Sequence, residues 1–328
     1  KDITLYAKWT ETQPSYPDYP TYPTYPTYPG NLGSSGTPEK PDTSVTPGPA
    51  STTTTVTENE DGSTTTTVTD NVTGASVATT ASPDGTREVV ETSADGTVTA
   101  TITTPEGGRI VKEMDSSGDA VITVTNPNGE TVVNMDVPTS IPTVDNGFTD
   151  VPSGHYAEEA INQAVAMGLT NGVGDNTFGT DTSINRAMVA TILYRLAGME
   201  GEKYVNHFTD VQPGHYAENA IAWANLAGVV KGRGDGTFAP EEEIKREDMA
   251  VMLYRFVKLV GPDVKSDTAV LASFSDNDSI SSYAREAMAW CVSHGIIKGT
   301  GGGVIDPGTS LKRCDAMLMI QRFLQLVK

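Results

Sequence analysis

Phe208-Thr209-Asp210-Val211-Gln212-Pro213-Gly214-His215-Tyr216-Ala217 has two counterparts in the same chain, and that recurrence decides how the second half folds. Phe148-Thr149-Asp150-Val151 leads into His155-Tyr156-Ala157, and Phe274-Ser275-Asp276 leads into Ser282-Tyr283-Ala284. After each Tyr-Ala pair, apolar residues fall at helical spacing, as in Ala220, Trp223, Ala224 and Ala227. These stretches stop at Gly168, Gly228 and Gly295, where a helix C-terminus favours a left-handed residue. Glycine-rich loops follow, from Gly172 to Phe178, Gly232 to Phe238 and Gly299 to Ile305. A second helix then opens on an arginine: Asn185-Arg186, Lys245-Arg246 and Lys312-Arg313. A period of about sixty residues is too long for the short solenoid repeats, so each unit is read as two helices joined by a loop.

Upstream, the pattern changes. From Ser51 to Val137, glycines at 62, 74, 85, 96, 107, 118 and 129 recur at eleven- or twelve-residue spacing, most of them in Asp-Gly or Asn-Gly pairs that suit hairpins. Between them β-branched residues alternate. Val98, Ala100 and Ile102 share one face, and Ala120, Ile122 and Val124 repeat it. Such a period predicts a stacked β array, and both an antiparallel meander and a β-solenoid satisfy it. The first two units are almost all Thr and bury little, so their order should be weaker. Residues 13–50 read as a spacer: Tyr16, Tyr19, Tyr22, Tyr25 and Tyr28 each precede a Pro, at the three-residue period of a polyproline II helix. Residues 1–12 read as a closing strand, and the opening Lys1-Asp2-Ile3 suggests the C-terminal portion of a longer secreted protein.

Composition narrows the function. The 328 residues carry a formal net charge of -20, which argues against nucleic acid as a partner, since phosphate binding needs a concentrated basic surface. No run of eighteen apolar residues occurs, so no membrane-spanning helix is expected. Cys291 and Cys314 fit no metal or redox motif and are expected to be reduced and buried. His155, His207, His215 and His294 lack metal-ligand spacing, and no catalytic constellation can be assembled, so neither cofactor, metal nor enzyme activity is expected in these residues.

The F-x-D-V opening, the Gly-x-Gly-Asp-Gly-Thr-Phe-x-Pro loop (residues 232–240) and the Arg-bearing helix start, together and in this order, resemble the surface-layer-homology family. Residues 1–10 resemble the end of a Listeria–Bacteroides repeat. The resemblance implies a multidomain chain. A mainly α C-terminal pseudo-trimer with a three-helix central bundle, short helices and loops is preceded by a Thr-rich β-repeat array and a disordered polyproline II linker. The expected division is 1–12, 13–50, 51–138, a linker at 139–147, and repeats at 148–207, 208–273 and 274–328.

It also implies a function: non-covalent anchoring of a secreted surface protein to the bacterial wall, extracellularly, through a pyruvylated secondary cell-wall polysaccharide linked to peptidoglycan. A carboxylate-bearing sugar suits a guanidinium beside free backbone N–H groups at a helix N-terminus. Arg186, Arg246 and Arg313 are the matching positions, with Lys245 and Lys312 as second cations, Asp150, Asp210 and Asp276 as further site residues, and Trp223 and Trp290 as stacking platforms. The competing structural reading pairs each Arg with the opening Asp of its own repeat. Because repeat 1 has Asn185 and Gln163 in place of a Lys and a Trp, Arg246 and Arg313 are expected to matter more than Arg186. Other readings are a structural subunit of a surface layer, which adds self-association, and the anchor of an exoenzyme or adhesin whose working domain lies upstream.

Overall fold

The computed structural model describes residues 52–327, apart from 146, 262, 263 and 265. The strand expected over 1–12 and the Tyr-Pro spacer therefore lie outside the described residues. The β array is an antiparallel meander of eight strands in sequence order: β1 (Thr52–Glu58), β2 (Thr64–Asp70), β3 (Ser76–Ala81), β4 (Arg87–Thr92), β5 (Val98–Thr103), β6 (Arg109–Met114), β7 (Ala120–Thr125) and β8 (Thr131–Val137). All seven spaced glycines lie at positive φ, between +77° and +93°, so the sequence period is the hairpin period. Side chains alternate across the sheet. On one face Ile102 pairs with Ile110, Ile110 with Val124, and Val124 with Val133, all buried. At the other end β1 is exposed along its whole length, as its near-uniform Thr composition predicts.

Six α-helices follow: α1 (Glu158–Ala166), α2 (Arg186–Leu196), α3 (Glu218–Leu226), α4 (Arg246–Val260), α5 (Arg285–Ser293) and α6 (Arg313–Val327). Each repeat supplies two. The second helix of each repeat packs on the first helix of another: α2 on α3, α4 on α5 and α6 on α1. The backbone closes the same circuit. Ile184 N–H donates to Leu311 O, Leu311 N–H to Ile244 O, and Ile244 N–H to Ile184 O, at 2.9–3.0 Å. Those three residues are 0–1% exposed, so a buried ring of hydrogen bonds holds the three helix starts together.

The expected linker at 139–147 does not separate two independent bodies. Trp223 Nε1 donates to Val132 O at 2.8 Å, and Asn134 N–H donates to Ala197 O at 2.8 Å. The buried faces of β5 to β8 belong to one hydrophobic core with the helices. The outer edge of β8 is thus covered by the repeats, which removes the hazard of an open strand there.

Candidate ligand-binding clefts between the repeats

The three opening aspartates act within their own repeats. Asp150 accepts the N–H groups of Phe178, Gly179 and Thr180 at 2.7–3.0 Å. Asp210 accepts those of Phe238 and Ala239, and Asp276 those of Ile305 and Asp306. Burial alone would raise the Asp150 carboxyl. The backbone donors of Phe178, Thr180 and Gly179 outweigh it and hold the group below its ordinary value. Asp276 behaves the same way through Ile305 and Asp306. These carboxylates tie the loop to the repeat opening, and their expected part in a ligand site is withdrawn.

The arginines cross between repeats. Arg186 lies over the Phe238 ring at 4.7 Å, donates from Nε to Phe238 O at 2.9 Å, and has Nη1 3.8 Å from Asp248. Arg313 lies over Phe178 at 4.7 Å. Its Nε donates to Phe178 O, its Nη2 to Asn171 O at 2.8 Å, and its Nη1 faces Met188 Sδ. Arg246 donates from Nε to Asp306 O at 3.3 Å and is only half-buried. No Arg pairs with the opening Asp of its own repeat, so that structural reading is replaced by a clasp on a neighbouring repeat. The helix-start N–H groups are occupied too. Arg186 N–H donates to Glu242 O and Ala187 N–H to Pro240 O, with parallel bonds at Arg246, Glu247, Arg313 and Cys314. An incoming anion therefore meets side-chain cations rather than free backbone donors.

Other expectations change as well. Trp223 is 0% and Trp290 2% exposed, with Trp223 against Tyr194 and Phe256, and Trp290 against Tyr254 and Phe323. Neither has a face left for a sugar; both are core, because the apolar stripe of an amphipathic helix is what packs. Lys312 reaches away from Arg313 to Asp181 at 2.6 Å, and Lys245 is exposed at a helix start without a side-chain cap bond. Asn185 does cap its helix, accepting from Met188 N–H at 2.8 Å. His155 and His215 accept the N–H of Ala157 and Ala217 through Nδ1, a structural use. Cys291 and Cys314 are free and buried, as expected, and burial pushes both thiols up.

What remains is a cleft that all three repeats build. A space of about 310 Å³ is lined by Arg186 of repeat 1, Lys231, Arg233, Asp248 and Arg255 of repeat 2, and Tyr283 of repeat 3. Tyr283 OH donates to Asp248 at 2.7 Å and fixes that wall. Burial, and then the charge of Arg233 nearby, push the Arg186 pKa below its ordinary value, while Asp248 and Glu242 act the other way. Arg233 forms an ion pair with Glu242. By repeat alignment, the residues equivalent to this lining are Arg246, Lys298, Thr300, Asp315, Arg322 and Tyr156 in one set, and Arg313, Asn171, Val173, Met188, Arg195 and Tyr216 in the other. Sequence reading missed Lys231, Arg233 and Arg255. A departure from the repeat pattern signalled Arg233 alone, since Val173 and Thr300 stand at its equivalent positions, whereas Lys231 is matched by Lys298 and Arg255 by Arg195 and Arg322.

Comparison with known proteins agrees with the repeats. The S-layer homology domain model matches residues 147–188, 207–250 and 273–317. The chain is 32% identical over 184 residues to an S-layer protein of Bacillus licheniformis, covering 56% of this chain and 20% of that protein. It is 27% identical over 192 residues to a cellulosome-anchoring protein of Acetivibrio thermocellus, covering 57% of this chain and 41% of that one. An amylopullulanase of Thermoanaerobacterium thermosulfurigenes is 28% identical over 181 residues, 55% of this chain and 10% of the enzyme. The chain thus spans less than half the length of each of these relatives.

Proposed function

We propose that this chain, which carries three tandem S-layer homology domains, holds a secreted surface protein on the bacterial cell wall without a covalent bond, gripping wall polysaccharide in the cleft around Arg186. Its location is extracellular and wall-associated. The similarity to S-layer and cellulosome-anchoring proteins supports a surface-anchoring role. The cyclic packing of the helices supports a pseudo-threefold assembly around a central bundle of α2, α4 and α6, with the β array as a stalk. The observation that carries the reading is electrostatic. In a chain of net charge -20, the Arg186 cleft gathers cations from two repeats around a space open to ligand.

The polymer is a secondary cell-wall polysaccharide bearing ketal-linked pyruvate, whose carboxylate takes charge-assisted hydrogen bonds from guanidinium groups. The expected order set Arg246 and Arg313 above Arg186; between Arg186 and Arg313 the reading is now the reverse, because of how many donors each has left. Arg313 has all three nitrogens turned to protein atoms, whereas Arg186 spends Nε on a carbonyl and its Nη1 lies 3.8 Å from Asp248, beyond hydrogen-bond distance. Arg186→Ala is expected to weaken binding of purified wall polymer about tenfold or more, a charged hydrogen bond being worth roughly 1.5–3 kcal/mol. Arg313→Ala is expected to lower the melting temperature and leave the affinity of the remaining folded protein close to wild type. Calorimetric titration with native polymer and polymer stripped of pyruvate, beside thermal melts, checks both. Equal binding to the two polymers removes the carboxylate from the mechanism. A structural subunit of a surface layer is the second reading, favoured by the S-layer relatives.

A further inference from the structure

The Arg186 cleft does not end at Arg255. A second space of about 480 Å³ lies beyond it, lined by Gly228, Lys231, Tyr254, Arg255, Lys258 and Glu286 among others. Lys231, Val251, Arg255 and Tyr283 line both spaces, so the two meet along one shared wall. That wall is a stripe of α4. Asp248, Val251, Arg255 and Lys258 stand at helical spacing, and the ten residue steps from the first to the last span about 15 Å.

The charges along this path are distributed unevenly. Of the 22 basic residues in the chain, Arg186, Lys231, Arg233, Arg255 and Lys258 line these two spaces, against the carboxylates Asp248 and Glu286. Three of the five form a close ion pair: Arg186 faces Asp248, Arg233 pairs with Glu242, and Lys258 lies 3.5 Å from Glu286 while also sitting over the Tyr254 ring at 4.1 Å. Among the described residues Lys231 and Arg255 form no close ion pair, although the Asp248 charge acts on Arg255 against the lowering effect of burial, and these are the two cations at the junction. Arg255 does donate from Nη1 to Val229 O at 3.4 Å, which holds the guanidinium in place. The repeat-equivalent positions around Arg246 and Arg313 do not repeat this row of cations. α2 ends at Leu196, so Gly198 stands where α4 has Lys258, and α6 has Gln325 there; Asn171 replaces Lys231 in the Arg313 set.

Building on the wall-polysaccharide reading, we infer that the two spaces form one continuous groove that grips the polymer along its length, seating an anionic substituent between Lys231 and Arg255 with sugar running into both spaces. The ligand class is an anionic polysaccharide read internally, over more than one sugar, rather than a single charged terminal residue. A terminal sugar would fill one space and leave the second, with Lys258, out of reach.

The test uses the full chain and a ladder of one- to six-residue fragments, made by partial hydrolysis of pyruvylated wall polysaccharide, titrated calorimetrically. Affinity is expected to rise tenfold or more from the single pyruvylated sugar to fragments long enough to span both spaces. Lys231→Gln is expected to weaken every pyruvylated fragment about threefold to tenfold. Lys258→Gln is expected to weaken only the longer ones. Both lysines are exposed, so circular dichroism should report an unchanged fold. A single pyruvylated sugar binding as tightly as the longest fragment, or Lys258→Gln matching wild type on all lengths, overturns the extended groove while wall anchoring stands. Failure of the wild-type chain to bind either the fragments or intact polymer removes the anchoring reading, and the groove with it.

Discussion

Ala239 sits at φ +59°, a backbone conformation its equivalents fill with Gly179 and Asp306. Its N–H is committed to Asp210 at 2.6 Å, so the residue cannot relax out of that region. A left-handed alanine is strained, and Ala239→Gly is expected to raise stability by about 0.5–1 kcal/mol, seen as a melting temperature higher by a few degrees. A lower melting temperature would mean that the methyl group packs usefully. Glu88 carries the opposite kind of strain. It is 5% exposed, in the row that continues through Ile102 and Ile110, and burial raises its carboxyl to about 7 from 4.5. The folded state therefore binds this proton more tightly than the unfolded state. The stabilising contribution is complete below about pH 4.5 and is lost as pH rises through about 7. Urea unfolding followed at pH 5 and pH 8 should find the chain more stable at pH 5 by about 1–3 kcal/mol from this group. Glu88→Gln should flatten that difference; an unchanged pH profile in the variant would assign it elsewhere. At this scale the arginine-bearing helix starts and the buried cysteines were legible, because each rests on local chemistry. The roles of Asp150 and Trp223 were not, because they depend on which face of the folded unit each side chain meets.

Between elements, helix length and a single glycine decide what each surface can do. Gly198 lies at φ +66° just beyond α2, and a Cβ there would stand 1.9 Å from Asn134 O of β8. Gly198→Ala cannot keep both the α2 terminus and the β8 contact. It is expected to release the sheet from the helices, with Trp223 fluorescence shifting to the red as its bond to Val132 O is lost. An unshifted spectrum with an unchanged melt would show that the junction gives way without cost. The three helix–helix seams differ in quality. Tyr194 packs on Trp223 and Tyr254 on Trp290, but the matching positions at the α6–α1 seam are Gln321 and Gln163, both buried, and Gln163 Oε1 has no hydrogen-bond partner. The eleven-residue period, the faces of the strands and the two helices per repeat could be read from periodicity alone. The choice of a meander over a solenoid could not, since both satisfy the same spacing, and neither could the order in which seams close, since the α6–α1 seam joins opposite ends of the three-repeat segment.

For the molecule as a whole, the shared core means that the anchor is larger than its three repeats. Residues 148–328 alone would expose the surface that β5 to β8 cover and strip Trp223 of its acceptor. That fragment is expected to bind wall polymer but to melt several degrees below the full chain, and a matching melting temperature would make the sheet a passive attachment. The sheet is joined to the helices at β8, while β1 stands at the far edge, exposed on every residue. Each strand's neighbours in space are also its neighbours in sequence. Tension drawn through residues preceding β1, against helices fixed to a wall, thus pulls on the outermost strand first and opens one hairpin rung at a time. Each rung frees about eleven residues, or roughly 36–40 Å of extended chain. The Thr-rich strands at the free edge yield before those sharing the helical core. A tug at the cell surface would then be spent in paying out tether, as a stitched seam gives under a falling climber, before any of it reached the grip on the polysaccharide.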